Sequence, residues 1–142
     1  MGSVKASFEI FDHTADAGIR ARAASRSGLL EPAGHALYSI IGELVPCGDT
    51  GELAFDLTGG DAPVLLRDYL GELLILLECD QRIVTSVNVV TFEDDRLRAT
   101  ARTRCLDVAK SILDREVKAI TYHELAICAI DGGYEATLIV DI

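Results

Sequence analysis

Apolar and polar residues alternate along several short stretches of the chain, and in two longer stretches apolar residues recur every three or four positions. Alternation with a period of two is typical of a half-buried β-strand, and three–four spacing is typical of an amphipathic helix. The alternating stretches predict strands over 5–11, 17–23, 52–57, 84–93, 97–105, 120–130 and 134–142. The helical spacing predicts helices over 29–44 and 65–78.

Turn and capping residues separate these elements. Asp61 and Pro63 predict the start of the second helix, because aspartate caps helix N-termini and proline suits the first helical turn. Residues 93–96 and 131–133 predict two hairpin turns. The second turn has the stronger signal, because its glycines reach positive φ without steric cost.

The order of these elements predicts the fold class. Strands arrive in runs joined by hairpins and do not alternate regularly with helices, which favours α+β over a doubly wound parallel sheet. We expect one two-layer domain over residues 1–142, with a mixed, mostly antiparallel sheet and two long helices on one face. A chain of 142 residues is the size of one ordinary domain with one core.

Composition and charge narrow the classes of partner. Hydrophobic residues make up 49% of the chain, which is enough to form a core and excludes intrinsic disorder. The chain carries 13 Lys and Arg against 23 Asp and Glu, a formal net charge of −10. Such a surface repels phosphate backbones, so we expect no tight direct binding to nucleic acid. Cations and basic protein surfaces are better partners.

The cellular compartment is predicted from the absence of a membrane span, a signal peptide and paired cysteines. No apolar run approaches the roughly 20 residues of a membrane span, and the N-terminal residues lack the apolar run of a signal peptide. The four cysteines are widely scattered without a CxxC pair, so we expect reduced thiols and no zinc site. These features predict a cytoplasmic protein with no membrane partner.

Familiar catalytic motifs are absent from the sequence, including GxxxxGK[ST], GxGxxG, GxSxG and HExxH. This absence counts weakly against an enzyme. Asp12, His13 and Asp16 form one candidate segment, because two carboxylates and an imidazole at a strand junction can offer ligands to a divalent cation. The alternative is a polar turn whose aspartates bond their own backbone.

A second candidate segment is 116–123, which places Lys118 near a threonine, a tyrosine and a histidine. These side chains could meet a phosphate or an acidic partner surface. The alternative is a half-buried strand in which Lys118, Thr121 and His123 are solvated while Ile120 and Tyr122 pack inwards.

The C-terminal segment 136–142 is strongly strand-forming up to its last residue. A strand here holds Asp141 beside the terminal carboxylate of Ile142, and two fixed anions repel each other unless a cation or proton intervenes. That repulsion would favour a metal ion if Asp141 faces the turn over residues 12–16. A solvated aspartate near a terminus is the simpler alternative.

These three segments together resemble the archease family. The family pattern has the turn Asp-His-Thr-Ala-Asp, found here at residues 12–16. It also has the stretch Val-Lys-Ala-Ile-Thr-Tyr, found at 117–122, and an apolar strand that closes with aspartate and one apolar residue, as at 139–142. The resemblance extends over essentially the whole chain, and three ordered motifs are much more specific than one.

The resemblance implies a small α+β domain that acts as a protein cofactor and not as an enzyme. Archeases promote guanylylation of the active-site histidine of the RtcB-type RNA-splicing ligase, in tRNA splicing and RNA repair, and allow repeated turnover. The chain would then contact GTP only when the nucleotide is bound to the ligase. By resemblance, Asp16, Asp141 and the C-terminal oxygen of Ile142 would bind a divalent ion, either Ca²⁺, Mg²⁺ or Mn²⁺. Lys118 would contact a phosphate or the ligase.

Other functions compete with this expectation. Asp12 and His13 lie in the first motif and are expected to support the metal ligands. A chaperone-like module for tRNA-modifying enzymes, such as a methyltransferase, would use the acidic surface to shield a basic client. A small metal-dependent hydrolase would use Asp12, His13 and Asp16, although no substrate-pocket motif accompanies them.

Overall fold

A computed structural model describes residues 2–13 and 15–142. These residues form two helices, α1 (Leu30–Ile41) and α2 (Ala62–Asp80). They also form the strands β1 (Ser7–His13), β2 (Asp16–Ala23), β3 (Gly42–Glu43), β4 (Pro46–Thr58), β5 (Arg82–Glu93), β6 (Arg96–Leu106), β7 (Ile112–Leu113), β8 (Ala119–Ile120), β9 (Ala126–Ile130) and β10 (Gly133–Asp141).

Helix α2 begins and ends where local chemistry dictates. The Asp61 side chain accepts a hydrogen bond from the Val64 amide at 3.1 Å, and Pro63 lies in the first turn. The helix ends at Gln81, which adopts the left-handed conformation with φ of 50°. The cap and first-turn proline predicted from the sequence are therefore confirmed.

Helix α1 is shorter than predicted, because Gly42 ends it with a φ of +154°. A side chain at Gly42 would overlap with the main-chain oxygen of Ile112, so only glycine allows β3 to pair with β7 here. A turn of 3-10 helix, Ser27–Leu29, precedes α1.

The strands form three sheets. The first has the order β1-β2-β10-β8, with β9 also paired to β10; the second has the order β4-β6-β5; β3 pairs with β7. Every pair formed by the described residues is antiparallel. The α+β class with mostly antiparallel strands is confirmed, but the strands form three sheets and not the single mixed sheet that was predicted. Periodicity identifies strands without identifying the edges that pair, so it could not separate one sheet from three.

The two helices pack mainly on different sheets, and their buried residues belong to one shared core. Helix α1 packs mainly against β1 and β2 and also contacts β5, whereas α2 packs mainly against β4, β5 and β6 and also contacts β8 and β9. The ring of Tyr69 on α2 meets Phe55 of β4 edge-on, with 5.3 Å between centroids. Neither helix of the described residues is long and apolar enough to cross a lipid bilayer.

Two strand predictions needed correction. Strand β1 continues to His13 and β2 begins at Asp16, so Asp12, His13 and Asp16 of the predicted polar turn over 12–16 lie in paired strands. The predicted strand 120–130 divides into β8 and β9. The strand is interrupted after Ile120, and the hydroxyl of the next residue, Thr121, donates to the main-chain oxygen of Ile139 at 2.9 Å. Glu124, within this interruption, has a φ of 53°, which a regular strand excludes.

Candidate functional site

The register between β2 and β10 brings two acidic residues together. Ala17 pairs with Val140, and the next positions in the same register are Asp16, where β2 begins, and Asp141, where β10 ends. Paired residues of antiparallel strands lie about 4.5–5.5 Å apart at Cα and point to the same face. Both carboxylate side chains are half-buried, so they share one end of the five-stranded sheet.

Strand β8 adds a cationic residue to this end. The Lys118 amide donates to the main-chain oxygen of Asp141 at 2.7 Å, and Ala119 pairs with Asp141. Val117 is only 1% exposed and anchors the segment, while the Lys118 side chain is exposed. Ile142 packs against the core and thereby fixes the main chain that follows Asp141. We call Asp16, Asp141, Ile142 and Lys118 the acidic end.

The β1–β2 hairpin orients the first motif. Asp12 pairs with Ala17, so strand alternation places it on the core face of the sheet, opposite to the face of Asp16. Asp12 is exposed. Ala15 holds a φ of 67° in the turn, which non-glycine residues seldom adopt. The main chain of His13 pairs with Asp16, and its side chain lies outside the described part of the structure.

Arg67 of α2 is a residue near this end that sequence reasoning missed. Its Nε donates to the main-chain oxygen of Ile120 at 3.0 Å, and its guanidinium lies 4.2 Å from the ring centroid of Tyr122. It also pairs with Asp68 at 2.8 Å. Arg67 therefore ties α2 to the strand that carries Lys118. Because it is far away in sequence, no local motif could have indicated this contact.

Burial along residues 118–123, which include β8, departs from simple alternation. Ile120 is 3% exposed, as a packed strand residue should be, but Tyr122 is 63% exposed. The interpretation in which Tyr122 packs inwards is therefore wrong, because the strand ends at Ile120 and the ring stacks on Arg67 instead. Lys118 and His123 are exposed, as that interpretation expected.

Ion pairs occupy the rest of the sheet face on which Asp16 lies. Arg20 contacts Glu9 at 2.6 Å, and Arg22 contacts Glu135 at 2.7 Å. The hydrogen bond from Arg20 holds the pKa of the Glu9 carboxyl below its ordinary value. These two arginines are matched by two glutamates, so they do not neutralise the acidic end.

The acidic end offers hard oxygen donors and one amine. Among residues 2–13 and 15–142, no three His, Cys, Asp or Glu side chains form a metal-binding group. The ligand set that the family resemblance implies is smaller in side chains: Asp16, Asp141 and the C-terminal oxygen of Ile142. Carboxylate oxygens suit Ca²⁺, Mg²⁺ and Mn²⁺. The donor set fits a hard divalent ion and does not fit a zinc site with sulfur or imidazole ligands.

A family model and individual relatives both show similarity between this chain and archeases. A model of the archease protein family (MTH1598/TM1083) matches residues 8–142. The chain is 31% identical to the protein archease of Methanopyrus kandleri, covering 95% of this chain and 99% of that protein. It is 32% identical to the protein archease of Pyrococcus abyssi, covering 95% and 98%.

Solved structures share the fold. The solution structure of protein 1598 from Methanobacterium thermoautotrophicum has a TM-score of 0.71 and 28% identity, over 96% of this chain and 99% of that one. A crystal structure from Thermotoga maritima, described as an archease and possible chaperone, has a TM-score of 0.69 over 94% and 96% of the two chains. At 21% identity, the second comparison supports the fold alone.

Proposed function

This chain belongs to the archease family, and from that premise we propose that it activates an RtcB-type RNA-splicing ligase as a protein cofactor. In this proposal it promotes guanylylation of the ligase histidine and repeated turnover. One observation carries the proposal: three motifs that are far apart in sequence meet at one end of the five-stranded sheet. A role limited to stability would not require charged residues from three separate motifs at one end of a sheet.

Each residue of the acidic end has a proposed task. Asp16, Asp141 and the C-terminal oxygen of Ile142 would hold a divalent cation, which when bound would supply positive charge for a triphosphate. Lys118 would contact a phosphate of the ligase-bound GTP or an acidic group of the ligase, because its ammonium is an exposed point charge. The chain supplies no nucleophile in this scheme, so its contribution is positioning and electrostatic.

Rigidity of the main chain supports that task. Asp141 lies on β10, which is paired by β2 on one side and by β8 on the other. Its main-chain oxygen accepts the Lys118 amide, so the two residues keep a fixed separation along the backbone. A charge held in place on a rigid strand needs no reorganisation when it meets the partner.

The test is guanylylation of the ligase by labelled GTP in the presence of the wild-type chain, Asp16→Ala or Asp141→Ala. We expect each substitution to reduce stimulation by about 100-fold, the effect of losing one transition-state contact. Asp131→Ala is the matched control, because Asp131 is exposed at the opposite end of β10, in the turn between β9 and β10. It should retain full stimulation.

The chaperone-like alternative makes a different prediction. A module that shields a basic client through bulk charge would lose the same small fraction of activity in Asp16→Ala and Asp131→Ala, because each removes one negative charge. The net charge of −10 is the observation that favours this alternative. Full stimulation of the ligase by both Asp16→Ala and Asp141→Ala would reject the acidic-end mechanism.

A further inference from the structure

A groove of about 420 Å³ opens between the C-terminal half of α2 and the segment 106–117, and its lining ends at Val117, the residue before Lys118. Its volume lies within the range of about 300–1,000 Å³ that is typical of binding pockets. Its walls are mostly apolar, formed by Ile41, Leu74, Leu77, Leu106, Val108, Leu113 and Val117. We call this feature the α2 groove.

Apolar side chains on one wall of the α2 groove face solvent. Val108 is 57% exposed and Leu113 is 63% exposed, and both line the groove. Ile112, beside them on β7, is 59% exposed. Val108 and Leu113 therefore expose apolar surface along the groove, whereas Ile112, the neighbour of Leu113 on β7, does not line it. Exposed apolar surface that borders a groove marks an interaction site.

The exposed wall is held in a defined conformation. The amides of Asp114 and Arg115 both donate to the main-chain oxygen of Ile41, at 2.8 and 3.1 Å. The Ser111 hydroxyl accepts the Val45 amide at 2.8 Å. These bonds tie the segment to the end of α1, so the exposure of its apolar side chains is a property of the folded chain.

Charge around the α2 groove selects the occupant. Glu78, Asp114 and Glu116 line it, against one basic residue, Arg115. A second copy of this chain carries the same net charge of −10 and would be repelled. The complementary partner presents apolar side chains flanked by lysine or arginine.

We propose that the α2 groove binds a cationic amphipathic helix of a partner protein. Apolar residues of that helix would cover Val108 and Leu113, and its basic residues would face Glu78, Asp114 and Glu116. An amphipathic helix laid in an apolar groove is a recurrent mode of peptide recognition. This binding uses none of the four residues of the acidic end, and it needs neither a metal ion nor the ligase.

The probe for the test is a labelled helical peptide of leucine and lysine, about 15 residues long, with leucines on one face. Its affinity for the full chain is measured by fluorescence anisotropy. Leu113→Ser removes an exposed apolar side chain from the groove wall and should weaken binding by about tenfold or more. Val90→Ser is the matched control, because Val90 is 62% exposed on β5 and does not line the groove.

Charge is tested with a second peptide in which glutamate replaces lysine and with a third in which leucines are dispersed around the helix. We expect neither to bind as tightly as the first, and Glu116→Lys should weaken the lysine peptide selectively. Equal losses in Leu113→Ser and Val90→Ser, or equal binding of all three peptides, would overturn the proposal. A dimer in sedimentation that Leu113→Ser dissociates would assign the groove to a second copy and also overturn it.

Discussion

Gly18 on β2 offers a sharp test of how the outer face of the five-stranded sheet is packed. A Cβ added to Gly18 would overlap with the ring of Phe11 on β1, which pairs directly with it. The Phe11 ring is half-buried, and the Arg20 guanidinium lies 4.6 Å from its centroid. Gly18→Ala must therefore displace the ring from its position between Gly18 and Arg20.

The magnitude follows from what the ring loses. Half of the burial energy of a phenylalanine side chain is about 1 kcal/mol, and an exposed cation–π contact contributes about 0.5–1 kcal/mol. Alanine gains about 0.5 kcal/mol over glycine within a strand. We therefore expect Gly18→Ala to lower the free energy of unfolding by about 1–1.5 kcal/mol.

The assay is urea unfolding of a double-mutant cycle. In a Phe11→Ala background the obstruction is gone, so Gly18→Ala should instead raise stability by about 0.5 kcal/mol. Gly71→Ala on α2 is the control, because no atom lies within 4 Å of the added Cβ, and it should stabilise the helix. Equal effects of Gly18→Ala in both backgrounds would refute the packing argument.

Two further predictions concern stability. Asp61→Ala removes the N-terminal cap of α2 and should cost about 1 kcal/mol in urea unfolding, whereas Asp61→Asn should retain most of it; equal costs would contradict a capping role. Burial raises the pKa of Tyr38 from 10.0 to about 12, and its hydroxyl accepts the Val84 amide at 2.9 Å. Because the folded pKa is the higher, this contribution to stability is complete below about pH 10 and is lost as pH rises towards 12. Tyr38→Phe should make the alkaline loss of stability shallower, and an unchanged pH profile would contradict the assignment.

Helix α2 was predictable because its signals are local. Its leucines repeat at helical spacing. The capping residue Asp61 and the first-turn residue Pro63 lie directly at the start of that repeat. The β5–β6 and β9–β10 hairpins were predictable for the same reason. The start of β4 was not predictable: the strand begins at Pro46 and not at residue 52, because Pro46 and Cys47 pair with Leu106 and Cys105 of β6 before the register shifts ahead of Gly51. Such pairing overrides local propensity and leaves no pattern in the sequence.

The acidic end also has parts that the sequence predicts and parts that it does not. Asp16, Asp141 and Lys118 could be chosen from motifs, but their meeting depends on register between strands distant in sequence. The contact of Arg67 with Ile120 and Tyr122 depends on how α2 lies on β8, which no periodicity encodes. Sequence therefore indicates the chemistry of the site more readily than its supports.

The pairing of β2 with β10 also bears on how the chain is made. Synthesis proceeds from the N-terminus, so one edge of β2 stays without its partner while roughly 110 further residues emerge from the ribosome. At about 5–20 residues per second, that wait is on the order of 5–20 s. A nascent chain stalled before residue 133 would carry an open sheet edge and only the first aspartate of the acidic end, Asp16. Completing the last strand would close the edge and assemble the acidic end in the same event.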